Sequence, residues 1–144
     1  MSGILKRNVF HIDGVGAGPY GTGSGFGWVQ VESDRRYVQW VDGLTSHRSK
    51  YRGLISVLEY LPVRSSALIR TDSELLWEEF TSRSVVTDEQ SLRLLLDARE
   101  VMLERRLGIH VKWLPRNRNI ARQVLNLRGS GGRPSRRNQA NGER

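Results

Sequence analysis

The apolar residues of this chain change their spacing near residue 45, and that switch constrains the fold more than any other feature. Before it, residues 8–13 read as a first strand, followed by a glycine-dense turn. The segment FGWVQVES then alternates apolar and polar residues with period two, as a half-buried second strand does. RRYVQWVDG is rich in β-branched and aromatic side chains and reads as a third strand. Short turns between the three predict an antiparallel meander. After the switch, residues 48–61 place Leu54, Ile55, Leu58 and Leu61 at helical spacing, and Pro62 ends the run. SALIRTD is a fourth, buried strand, and SELLWEEFTSR is a helix. A longer helix follows with Asp88 as N-cap and Gly108 as terminator. IHVKWLP is a fifth strand, and NIARQVLNL is the last helix. The order β-β-β-α-β-α-α-β-α predicts an α/β domain. Its mixed five-stranded sheet has three antiparallel strands, then two alternating with helices, and carries helices on its faces.

This domain spans residues 1–127. The remainder, 128–144, contains five Arg and no apolar side chain larger than Ala. Such a segment buries too little surface to offset its ordering entropy, so it reads as a disordered basic tail. It carries about half of the net charge of +8. A basic excess in which Arg far outnumbers Lys favours polyanions: each neutralised phosphate releases counterions, and guanidinium forms forked hydrogen bonds to phosphate. Cysteine is absent, which removes disulfides, thiolate nucleophiles and Cys-type zinc sites. His11, His47 and His110 share no metal-ligand spacing. No apolar run is long enough to span a bilayer, and the first residues show no signal-peptide pattern. The expectation is a soluble intracellular protein, of cytoplasm or nucleoid or of viral origin, that does not engage membranes.

Four motifs, in order, resemble the type 1 ribonuclease H family across roughly residues 8–127. His11-Ile12-Asp13-Gly14, a Gly/Pro-rich turn and Gly25-Phe26-Gly27-Trp28-Val29 are similar to the family's first hairpin. Thr45-Ser46-His47-Arg48-Ser49-Lys50 stands where the family often has Thr-Asn-Asn-Arg, one variable residue, then Glu. Thr71-Asp72-Ser73 matches the family's Thr-Asp-Ser. Val111-Lys112-Trp113-Leu114-Pro115-Arg116, followed by Asn119, resembles the strand and loop before a last helix that normally opens Ala-Asp.

The resemblance implies a site of four carboxylates holding two divalent ions, Mg²⁺ or Mn²⁺. Mapped position by position, two of these carboxylates remain, Asp13 and Asp72. The other two positions carry the cations Lys50 and Arg122. No neighbouring acid substitutes for them. Glu59 is about 900° of helical rotation and roughly 13 Å of helix beyond Lys50, Asp42 would need another backbone path, and no acid follows Arg122 before Glu143. Lys50 and Arg122 are therefore expected to pair with Asp13 and Asp72, leaving no resident cofactor.

The resulting expectation is a catalytically inactive nucleic-acid binder of the ribonuclease H type. Its ligand would be RNA, DNA or their hybrid, contacted through Gly14, Thr45, Ser46, His47, Arg48, Arg116 and Arg118 together with Arg133, Arg136 and Arg137 of the tail. Two alternatives stand beside it. One is a metal-dependent ribonuclease using Asp13 and Asp72. The other is a protein-interaction module, with a protein partner or a second copy of the chain. Trp28, Trp40, Trp77 and Trp113 are expected to pack rather than stack on bases. Glu78 and Glu79 read as ordinary helix-surface charges.

Overall fold

The structure is a computed structural model and describes residues 8–18 and 23–129. Its elements are β1 (Val9–Val15), β2 (Ser24–Gln30), β3 (Arg36–Val41), α1 (Ser46–Tyr60), β4 (Ser66–Thr71), α2 (Glu74–Phe80), α3 (Glu89–Arg105), β5 (Gly108–Trp113), a 3-10 turn (Arg116–Arg118) and α4 (Ile120–Gly129). The strands form one mixed sheet in the order β3-β2-β1-β4-β5. β1 pairs antiparallel with β2 and parallel with β4, and β4 pairs parallel with β5.

Strand alternation sorts β1 between two faces. Phe10 and Ile12 are fully buried in a core with Tyr51, Leu54, Val57 and Leu58 of α1. α2 adds Leu76 to this core, and α3, lying on α1, adds Leu95 and Ala98. His11 and Asp13 point to the other face, where α4 packs on β1 and β2 and buries Ala121 and Leu125. Burying each large apolar side chain is worth about 1.5–3 kcal/mol, so this two-sided layering holds β1 at the centre.

Several boundaries move for local reasons. α1 begins two residues before the expected start because the Thr45 side chain accepts a hydrogen bond from the Arg48 N–H. Asp88 caps α3 as expected, accepting from the Ser91 N–H. Gly108 does not end that helix. Arg106 does, in a left-handed conformation (φ 56°), and Gly108 already opens β5. β1 runs on through Gly14 and Val15 because the hairpin register continues to Val15↔Gly25. α4 extends to Gly129, two residues into the stretch read as tail. Residues 130–144, including Arg133, Arg136 and Arg137, lie outside the described residues, as does Gly21 of the first turn.

Candidate functional site

Asp13 lies on β1, and Asp72 follows the last residue of β4. Because Ile12 and Thr71 are register partners in that parallel pair, the two acids fall side by side on one face. Their side chains are only 3% and 2% exposed. α1 crosses beside them at unusually close range. A Cβ on Gly14 would lie 2.5 Å from the Ser49 carbonyl carbon and 2.6 Å from the Lys50 nitrogen. Only glycine permits that approach. It delivers the Lys50 ammonium to 4.0 Å from both Asp13 Oδ1 and Asp72 Oδ1.

Arg122 arrives from α4. Asn119 is fully buried, donates to the Ile12 carbonyl at 2.9 Å and accepts from the Ala121 and Arg122 N–H groups. It thereby caps α4 and ties that helix to β1. Arg122 forms no ion pair with Asp13 within 4.0 Å, although its guanidinium charge still favours ionisation of Asp13. Three of the four mapped positions are thus in ion-pair range, and the fourth acts from further away. A cation in the first turn of a helix opposes the helix dipole, so Arg122 is not there to stabilise α4.

The electrostatics are those of a crowded cluster. Burial, then the neighbouring Asp72, push the Asp13 carboxyl up to about 6, against the Gly14 N–H, Lys50 and Arg122. Neither carboxylate oxygen of Asp72 has a hydrogen-bond partner among the described residues, so Lys50 is the nearest answer to its charge. This donor set does not fit two divalent ions. It offers two carboxylates with an ammonium between them, and no three His, Cys, Asp or Glu side chains converge among the described residues.

Several of the residues expected to meet nucleic acid already have partners within the protein. Thr45 caps α1, Ser46 is its exposed first residue, and Gly14 serves the α1 approach. Arg48 donates to both carboxylate oxygens of Asp88, at 3.2 and 3.0 Å. His47 pairs with Glu79 at 3.0 Å. Arg116 and Arg118 are exposed on the 3-10 turn. Trp28 is buried against Phe10, whereas Trp113 is 44% exposed and donates to the Asp72 carbonyl at 3.2 Å.

Glu79 corrects the sequence reading. It is 5% exposed, and one oxygen receives both His47 and the Tyr51 hydroxyl, the latter at 2.8 Å. The available signal was its position three residues after Leu76, on the buried stripe of α2. Removing a charged acceptor that serves one buried and one half-buried donor costs about 2–3 kcal/mol. Glu79→Ala should lose that much in urea denaturation, while Glu104→Ala, on the exposed side of α3, should stay within about 0.5 kcal/mol. Equal losses would show that the pairing is not a structural tie.

Neither a family model nor a curated protein sequence matches the chain. Solved structures do. LC11-RNase H1, in complex with an RNA/DNA hybrid, superposes with a TM-score of 0.74 at 19% identity, covering 84% of this chain and 95% of that one. The fold is that of ribonuclease H. RNase H1 from the halophilic archaeon Halobacterium salinarum gives 0.70 at 22% identity, covering 83% and 94%. The N-terminal RNase H domain of a Mycobacterium tuberculosis protein, solved as a maltose-binding-protein fusion, gives 0.65 at 23%, covering 88% and 99%. The ribonuclease H fold thus accounts for nearly the whole described chain. Among the described residues no helix is long and apolar enough to cross a membrane.

Proposed function

We propose that this chain is a divergent ribonuclease H-type protein that binds nucleic acid and has lost two-metal hydrolysis. The observation that carries the proposal is the Lys50 ammonium, 4.0 Å from each remaining carboxylate. It occupies the charge position a divalent ion would take and repels one that approaches. The net charge of +8 and the exposed Arg116 and Arg118 support a phosphate-rich ligand. An RNA/DNA hybrid is the first ligand to try, since LC11-RNase H1 was solved with one.

Calorimetric titration with Mg²⁺ or Mn²⁺, run beside cleavage of a labelled hybrid, tests the loss of hydrolysis. The wild type should be silent in both assays. Lys50→Glu combined with Arg122→Asp should bind metal and regain cleavage, because it rebuilds four carboxylates around a retained scaffold. Cleavage by the wild type that disappears in Asp13→Asn would overturn the proposal and favour a metal-dependent nuclease. The unpartnered oxygens of Asp72 are the one observation on that side. Filter binding tests the other half, since affinity should fall steeply with salt. No affinity, or affinity indifferent to salt, would sink the binding reading.

A further inference from the structure

α4 covers β1 and β2 on its face of the sheet, while the β4–β5 half meets α2, whose Leu76 lies in the core on the opposite face. On the α4 side that half carries a hollow of about 520 Å³ whose lining includes Asn8, Ser66, Leu68, Arg70, His110 and Lys112. The volume lies in the range of small-ligand sites. No carboxylate lines it.

Its charge arrangement is unfavourable as it stands. Arg70 and Lys112 are register partners on adjacent parallel strands, and Leu68 and His110 are partners one pleat further along. Like charges directly opposite each other on a sheet are destabilising. Neither Arg70 nor Lys112 forms an ion pair with a described carboxylate within 4.0 Å. The charge of Arg70 also reaches inward: burial, then Arg70, hold the His11 imidazole down to about 4. A fold that spends two cations on one rung, in a hollow without an acid, is relieved by an anion placed between them.

We propose that this hollow is a phosphate-binding pocket in which Arg70 and Lys112 clamp a phosphate group, with His110, Asn8 and Ser66 at its rim. Arg supplies forked hydrogen bonds to phosphate oxygens, and Lys supplies a second point charge. The phosphate belongs to a free nucleotide or to a polynucleotide backbone. The polynucleotide source rests on the nucleic-acid binding proposed above, and the free-phosphate source does not.

The test uses the full chain in phosphate-free, low-salt buffer, with two probes. Pyrophosphate should raise the Tm of the wild type, because a ligand that binds only the folded state stabilises it. Arg70→Gln/Lys112→Gln should abolish that rise, and the exposed Lys112→Gln alone, which leaves β4 untouched, should reduce it. Lys112→Glu should raise the basal Tm, by turning a repulsive rung into an attractive one, while losing the response to pyrophosphate. An unchanged pyrophosphate response in the double variant overturns the pocket.

A labelled oligothymidylate assigns the source. If a polynucleotide uses the pocket, the double variant should bind about tenfold more weakly. The slope of log affinity against log salt should fall by about 0.7, the share of the one phosphate that the pocket holds. Unchanged oligonucleotide affinity with a lost pyrophosphate response assigns the pocket to free nucleotides. If the wild type binds no oligonucleotide, the nucleic-acid reading fails, and the pyrophosphate comparison still decides the pocket.

Discussion

Lys50→Met is expected to destabilise the protein by about 3 kcal/mol at neutral pH in the presence of chelator. Methionine fills much the same volume, so the loss isolates the charge. Two unit charges 4 Å apart interact by about 4 kcal/mol at an effective dielectric near 20. Lys50 meets two carboxylates at 4.0 Å, with its own side chain 14% exposed. Desolvation of the ammonium consumes part of the gain, and the contacts lie at the outer limit of ion pairing. The expected loss therefore sits at the low end of the range for breaking a buried pair. Lys50→Arg should retain most of the stability. Adding Mn²⁺ should recover part of the loss in Lys50→Met, where the carboxylates stand unanswered, and should do nothing to the wild type. Urea denaturation of the three proteins, with and without metal, reads all of this. A change within about 0.5 kcal/mol for Lys50→Met would mark Lys50 as a solvated bystander. The account of the carboxylate cluster as internally neutralised would then fail.

The fold was legible because period is a local property. The strand pattern of FGWVQVES and the helical spacing from Leu54 to Leu61 each need only their own neighbours, and Pro62 stops the helix without outside help. The cations expected at two of the four carboxylate positions, Lys50 and Arg122, were read from motifs with fixed intervals. What stayed hidden depends on residues distant in the chain. Arg48 finds Asp88 forty residues later, and His47 finds Glu79 thirty-two residues later. Those partners engage two candidate phosphate contacts in ion pairs without leaving any local trace. Gly14 reads as a nucleic-acid contact in a glycine-dense turn, and only the packing of α1 shows that the close approach is made by Ser49 and Lys50. Arg70 sits in a strand that reads as buried and Lys112 in the fifth strand, and their adjacency follows from a parallel register that no short window of sequence encodes.

The stability of the wild type should change little between neutral pH and about pH 4, because two buried groups on β1 oppose each other there. His11 is 5% exposed and accepts from the Ile120 N–H through Nδ1, while Nε2 has no partner among the described residues. Burial and Arg70 lower its imidazole from 6.5 to about 4. Within that window the unfolded chain binds a proton that the folded chain refuses, so stability falls with falling pH, by about 3 kcal/mol in all. Asp13 runs the other way. Its carboxyl is raised from 3.8 to about 6, so as pH falls through 6 the folded chain takes up a proton that the unfolded chain does not. That relieves a buried charge and adds about 3 kcal/mol. Asp88, held near 2 by Arg48 and Ser91, titrates mostly below the window. Each substitution should expose the other group. Asp13→Asn should become markedly less stable from pH 6 to pH 4, through His11 alone. His11→Asn, whose amide oxygen can still accept from Ile120, should become more stable over the same interval, through Asp13 alone. Urea midpoints across that range, in chelator, measure both slopes. If Asp13→Asn follows the wild type, Asp13 is not a buried, strained carboxylate, and the crowding that places Lys50 beside it has been misjudged.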